Sequence, residues 1–235
     1  MGSSNPFFLD SVLFIVLPYL AFALFLLVSI RRYLRESFTF SSLSSQFLEN
    51  QHHFWGAVPF HYGIITIVTG HLIGFIIPRE VLAWNSIPLR LYILELTAFV
   101  FAILTLIGLI SIIARRLTGA KMKMVTSKAD WVLFAIFIIQ VLTGMYTAIF
   151  HSWGTSWFAA TAVPYMWSLF SLTPDISYIT AMPWMVKIHI ICAYLMIAFF
   201  PFTRLVHALV VPNPYLWRKP QVVRWYGIWK MRRMN

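Results

Sequence analysis

Apolar positions in this chain come in long unbroken runs separated by short clumps of charge, not in the alternating or one-sided patterns of a water-soluble domain. A helix needs about 20 apolar residues to cross the hydrocarbon of a bilayer. Five stretches qualify, at roughly 7–30, 56–77, 88–114, 129–150 and 183–211. Helix-ending residues bound them. Arg31, Arg32 and Arg35 follow the first, and Pro78 the second. Pro88 opens the third, and Arg115 and Arg116 close it. Pro183 precedes the fifth, and Pro212 and Pro214 come after it. The first run is too long for the core of a signal peptide and no small-residue cleavage site follows it, so a retained helix is expected. There is no internal repeat and no low-complexity tract. The pattern predicts an all-α integral membrane bundle of five transmembrane helices, a single membrane domain over 1–235.

One further run, "WFAATAVPYMWSLFSL" at 157–172, is apolar but short, and Pro164 interrupts it. Charge decides how to read it. With five spans, Arg31–Arg35, the basic loop 115–128 and the tail 212–235 (Arg218, Lys219, Arg224, Lys230, Arg232, Arg233) all fall on one side. The positive-inside rule makes that side cytoplasmic. A sixth span would send the tail outside. The connection 151–182 holds no Lys or Arg but has Trp153, Trp157, Tyr165 and Trp167, residues that settle at a membrane interface. The expectation is therefore an outer N-terminus, a cytoplasmic C-terminus and an outer interfacial segment at 151–182, in a multi-pass protein of the cell membrane.

Composition agrees. The 235 residues are 60% hydrophobic and 11% charged, where a soluble domain has roughly 25% charged. The formal net charge is +11, but the charges lie in clumps between apolar runs and not along a solvated face, which argues against nucleic acid as a partner. The single cysteine, Cys192, reads as a small buried apolar residue. With one cysteine there is no internal disulfide, no covalent haem attachment and no cysteine set for an iron–sulfur cluster.

Histidine carries the chemistry. Of seven, His52 and His53 precede span two and His151 ends span four, where solvated or interfacial roles suffice. The other four lie inside spans: His61 and His71 on span two, His189 and His207 on span five. A lone helix histidine is usually a hydrogen-bonded core residue, but two on each of only two spans point to a site. Because the two spans run in opposite directions, depth pairs His71 with His189 and His61 with His207. Two imidazoles facing across a bundle form the axial ligands of a six-coordinate haem, and two such pairs place two haem b groups at two depths. The ten-residue and eighteen-residue spacings rise about 15 and 27 Å, so a kink at Pro201 is expected to absorb the difference. Gly63, Gly70 and Gly74 flank the histidines of span two, leaving room for a macrocycle or for close helix packing. Arg204, one turn before His207, could pair with a haem propionate or snorkel to the inner surface.

Iron with both axial positions filled carries electrons and offers no open site for substrate. The donor available in a bilayer is a quinol, oxidised near the outer haem. Passing an electron inward works against an inside-negative potential, at about 2.3 kcal/mol per 100 mV. The basic loops and tail suit docking of an acidic cytoplasmic partner.

"FHYGIITIVTGHLIGFIIP", "KIHIICAYLMIAFFPFTRLVHALVVP" and "SSQFLE" in the first inner loop resemble the gamma subunit of respiratory nitrate reductase, a di-haem cytochrome b of anaerobic respiration. The resemblance covers nearly the whole chain. It implies five spans, with a distal haem on His71 and His189 and a proximal haem on His61 and His207. It also implies electron flow from quinol or menaquinol to an iron–sulfur beta subunit and then to a molybdenum-cofactor alpha subunit. The nitrate chemistry would lie in that partner and not in this chain. The family's quinol pocket includes a lysine at the start of span three, where this chain has Arg90; His71 and Gly70 would complete the pocket. Arg90 keeps the charge but changes the geometry, and could equally be an interfacial anchor.

Other readings remain at this point. A related cytochrome b could serve nitrite oxidation, heterodisulfide or sulfur metabolism. A transporter could use the same histidines for metal or proton binding, and a passive anchor would need neither.

Overall fold

The computed structural model describes residues 6–36, 54–151 and 156–210. His52, His53, the "SSQFLE" stretch and the basic tail lie outside the described residues. Five helices are long and apolar enough to cross a membrane: Phe8–Arg35, Trp55–Ile76, Pro88–Thr118, Lys128–Phe150 and Trp184–Phe202, spans one to five. Span three runs past the expected end at 114 to Thr118, where Gly119 caps it.

The spans pack in the order one, five, four, three, two. Span two lies closely on span three because glycines on both remove the side chains that would hold them apart. A Cβ on Gly63 would collide with Thr105 and come within 2.8 Å of the Phe101 carbonyl. One on Gly108 would sit 2.5 Å from the Phe60 nitrogen. Spans two and five, the histidine carriers, are not packed this way; they face each other across the opening of the ring.

The segment after span four builds short helices, including Val163–Phe170 and Ser177–Thr180. Pro164 sits in the first turn of Val163–Phe170, where a missing N–H costs nothing. Pro18 explains its anchorage to span one. A proline inside a helix leaves the carbonyl four residues earlier without its donor; here that is Phe14, within the π turn at Val12–Val16. The Tyr165 hydroxyl donates to that carbonyl at 2.8 Å. Burial, with Tyr194 nearby, pushes the Tyr165 phenol far up, so it stays a donor. Tyr19 donates to the Leu169 carbonyl, and the Trp167 indole donates to the Phe75 carbonyl near the C-terminal end of span two.

Span five departs most from expectation. Its α-helix ends at Phe199, followed by 3-10 turns at Phe200–Phe202 and Arg204–Val206 on either side of an extended Thr203. The kink expected at Pro201 is a break. The regular helix stops ten residues after His189, matching the ten residues from His61 to His71, and the irregular stretch delivers His207. The freed carbonyls of Pro201 and Thr203 accept from the Arg32 guanidinium of span one at 2.6 and 3.1 Å. A break at membrane depth is tolerated where protein satisfies its backbone. Arg32→Gln should therefore destabilise the protein by about 1–3 kcal/mol, seen as a lower melting temperature in detergent.

Candidate functional site

Four histidine rings line the opening between spans two and five, in two pairs. His61 and His207 have ring centroids 6.1 Å apart. His71 and His189 are 6.2 Å apart. These are the pairs that depth alone predicted. His71 lies five residues before the end of span two at Ile76, and His189 five residues after span five starts at Trp184, which puts both about 7.5 Å from the same end of the bundle.

Hydrogen bonds fix the tautomers. A carbonyl only accepts, so a ring nitrogen facing one carries the proton. The Nδ1 of His61 faces the Ala57 carbonyl at 2.7 Å, that of His71 the Ile67 carbonyl at 2.8 Å, and that of His207 the Arg204 carbonyl at 2.5 Å. His189 Nδ1 faces the Gln140 carbonyl of span four at 3.0 Å. With Nδ1 donating, the nitrogen left to offer a lone pair is Nε2. Metal-bound histidines are commonly held this way, with the second nitrogen donating to a backbone carbonyl.

These residues fit haem. Two imidazoles sharing one iron, with metal–nitrogen bonds of about 2.0 Å and ring radii of about 1.1 Å, stand about 6 Å apart between centroids. Both pairs have that separation. Among the described residues there is no group of three or more His, Cys, Asp or Glu suited to a bare metal ion. A pair of imidazoles supplies two ligands, and a porphyrin brings the other four.

The glycines divide. Gly63 serves helix packing, and a Cβ on Gly74 would meet the Phe158 ring at 2.9 Å. Beside Gly70 there is open space, with nothing within 4 Å of a built Cβ. Of the two readings of these three residues, room for a macrocycle holds geometrically only at Gly70.

Arg204 projects to the start of span four. Its Nε is 3.6 Å from the buried Asp130 carboxylate, and its Nη2 donates to the Val125 carbonyl at 2.6 Å. Asp130 also forms a capping box with Ser127 at the start of span four. The anionic partner here is thus a carboxylate of the chain itself. Arg90 stands in the first turn of span three, stacked over the Trp84 ring at 4.7 Å. His151, at the end of span four, lies with its ring near Tyr146. Cys192 is buried in span five.

Sequence reasoning missed the surroundings of His189. Gln140, Thr143 and Gly144 lie three and four residues apart on span four, on one helical face, and all three border the ring. Two polar residues and a glycine at that spacing in an apolar helix were the available signal.

The family model described as nitrate reductase gamma subunit matches residues 10–226. A nitrate reductase gamma chain of Bacillus subtilis is 30% identical over 217 residues, covering 91% of this chain and 97% of the relative. The respiratory nitrate reductase 1 gamma chain of Escherichia coli is 29% identical over 222 residues, covering 92% and 98%. A nitrate reductase-like protein of Mycobacterium tuberculosis is 27% identical over 208 residues, 86% of this chain but 32% of that longer protein.

Proposed function

Because the chain belongs to the nitrate reductase gamma subunit family, we propose that it is a di-haem cytochrome b subunit of the cell membrane. In this reading it oxidises quinol near the outer face and delivers electrons to a cytoplasmic iron–sulfur beta subunit and a molybdenum-cofactor alpha subunit that reduces nitrate. The observation that carries it is the pair of histidine couples, 6.1 and 6.2 Å apart, bridging two spans that do not otherwise pack closely.

His71 and His189 would hold the outer haem, His61 and His207 the inner. Haem b held between two imidazoles would supply reversible one-electron transfer. The protein's part is orientation. The carbonyls of Ala57, Ile67, Gln140 and Arg204 hold each imidazole with its lone pair on Nε2. Backbone acceptors on the Nδ1 proton also raise ligand basicity. Gly70 leaves space beside the outer pair. Arg204 orients His207 through its carbonyl and brings a cation to the inner end, shared with Asp130.

The quinol pocket would comprise His71, Gly70 and Arg90. Arg90 keeps positive charge at the outer start of span three, steadied by Trp84. A guanidinium stays protonated, so Arg90 can hold a quinol oxygen but cannot take its proton. The N-terminus lies outside and the basic tail inside, where the partner subunits bind.

The test is a reduced-minus-oxidised spectrum of the purified subunit with haem and protein quantified. Two low-spin haems per chain, reducible by a quinol analogue, are expected. A colourless subunit would sink the reading.

A further inference from the structure

Three of the four histidines are oriented by the backbone of their own segment. His61 and His71 donate to carbonyls four residues back, and His207 to one three residues back. His189 is the exception: among the described residues, the hydrogen-bond partners of both its ring nitrogens come from span four. Its Nδ1 donates to the Gln140 carbonyl at 3.0 Å and lies 3.2 Å from Thr143 Oγ1. The Thr143 hydroxyl gives its own proton to the Ile139 carbonyl at 2.7 Å, so toward His189 it presents a lone pair. The Nδ1 proton is thereby shared by two acceptors on the neighbouring span.

The other nitrogen is also engaged. Gln140 Nε2 lies 3.2 Å from His189 Nε2 and donates to its lone pair. The Gln140 Oε1 is buried with no hydrogen-bond partner among the described residues. A buried carboxamide with an idle oxygen, spending its donor on an imidazole lone pair, is holding a place. Beneath the ring, a Cβ on Gly144 would come within 2.9 Å of His189 Cε1 and 3.4 Å of Nδ1. The imidazole therefore rests on bare backbone, and Gly144 sets how deep it sits.

Resting on the di-haem reading, we propose that span four is a positioning wall for the outer haem ligand, formed by Gln140, Thr143 and Gly144. It fixes the tautomer and seat of His189 from a second helix, whereas among the described residues the inner pair's Nδ1 partners lie three or four residues back in the same segment. Thr143 adds a second acceptor to the Nδ1 proton, making His189 more electron-donating and favouring the ferric state. The Gln140 amide guards the lone pair until iron takes it. Gly144 provides the clearance. The outer potential is then tuned by the fit between spans four and five, independently of the inner one.

The experiment uses the assembled complex, with Thr143→Val and Gly144→Ala in separate preparations. Redox titration and low-spin EPR read the two haems separately, the inner one serving as internal reference. Thr143→Val preserves the side chain's shape and removes the acceptor, so the outer midpoint potential should rise while the inner stays fixed. Gly144→Ala should move the outer EPR signal or lower outer haem occupancy, again alone. Gln140→Leu should reduce the fraction of chains that acquire the outer haem. If both haems are present but none of the three variants alters the outer one selectively, the positioning wall is refuted and the di-haem reading stands. The same holds if both haems shift together, or if Thr143→Val lowers the potential. If the unsubstituted complex carries no such haems, the di-haem reading itself is lost.

Discussion

His71→Ala and His189→Ala are each expected to remove the outer haem, leave the inner one, and cut quinol-dependent nitrate reduction by more than about 100-fold, beyond the 10–100-fold typical of outer-shell changes at metal sites. The two rings stand 6.2 Å apart, so in the proposed di-haem reading either loss would leave one histidine to hold the iron. His61→Ala and His207→Ala should remove the inner haem in the same way, since that pair stands 6.1 Å apart. Haem content and spectrum score each variant. A small-molecule reductant that feeds the partner subunits directly should still drive nitrate reduction in all four, which separates failed electron delivery from failed assembly. The pattern across variants is the sharper test. Pairing across the bundle requires that His71 and His189 behave alike, and that His61 and His207 behave alike. If the two variants of span two match each other and differ from those of span five, the pairing is wrong.

The spans and the histidine pairing were legible in the sequence because both follow from one-dimensional quantities. Span length follows from bilayer thickness, and relative depth follows from counting along antiparallel helices at a fixed rise. Pro201 was legible as a disruption, but its extent was not. The extended Thr203 and its flanking 3-10 turns depend on Arg32 arriving from span one, and a contact between residues 169 positions apart leaves no local pattern. Reading Arg32 only as a charge marker left out its contact with the broken end of span five. Arg204 is similar: its need for an anion was evident, but the identity of that anion, Asp130, depended on how spans four and five pack. The glycines show the limit from the other side. Gly63, Gly70 and Gly74 look equivalent in sequence, yet each meets a different surface: a helix, open space and an aromatic ring.

The second large effect concerns Lys187, three residues after span five starts at Trp184. It is buried, with its Nζ 3.0 Å from the Asp10 carboxylate and both side chains nearly closed off from solvent. Asp10 stands near the start of span one, where an acid suits the helix dipole; Lys187 stands near the start of span five, where a cation does not. The pair cancels that conflict and ties the two spans together. The Phe14 and Trp184 rings, 5.8 and 5.2 Å from the ammonium, add aromatic faces. Removing one partner strands a buried charge, which costs about 3–5 kcal/mol, whereas replacing both with apolar residues can be nearly neutral. Asp10→Leu and Lys187→Met should therefore each be strongly destabilising, and the double variant should recover most of the loss. Since Lys187 is two residues from His189, the single variants should also shed the outer haem at lower temperature than the inner. Thermal melts followed at the haem absorbance give both readings. A double variant no more stable than either single one would show that the ion pair contributes specific contacts that apolar packing cannot replace.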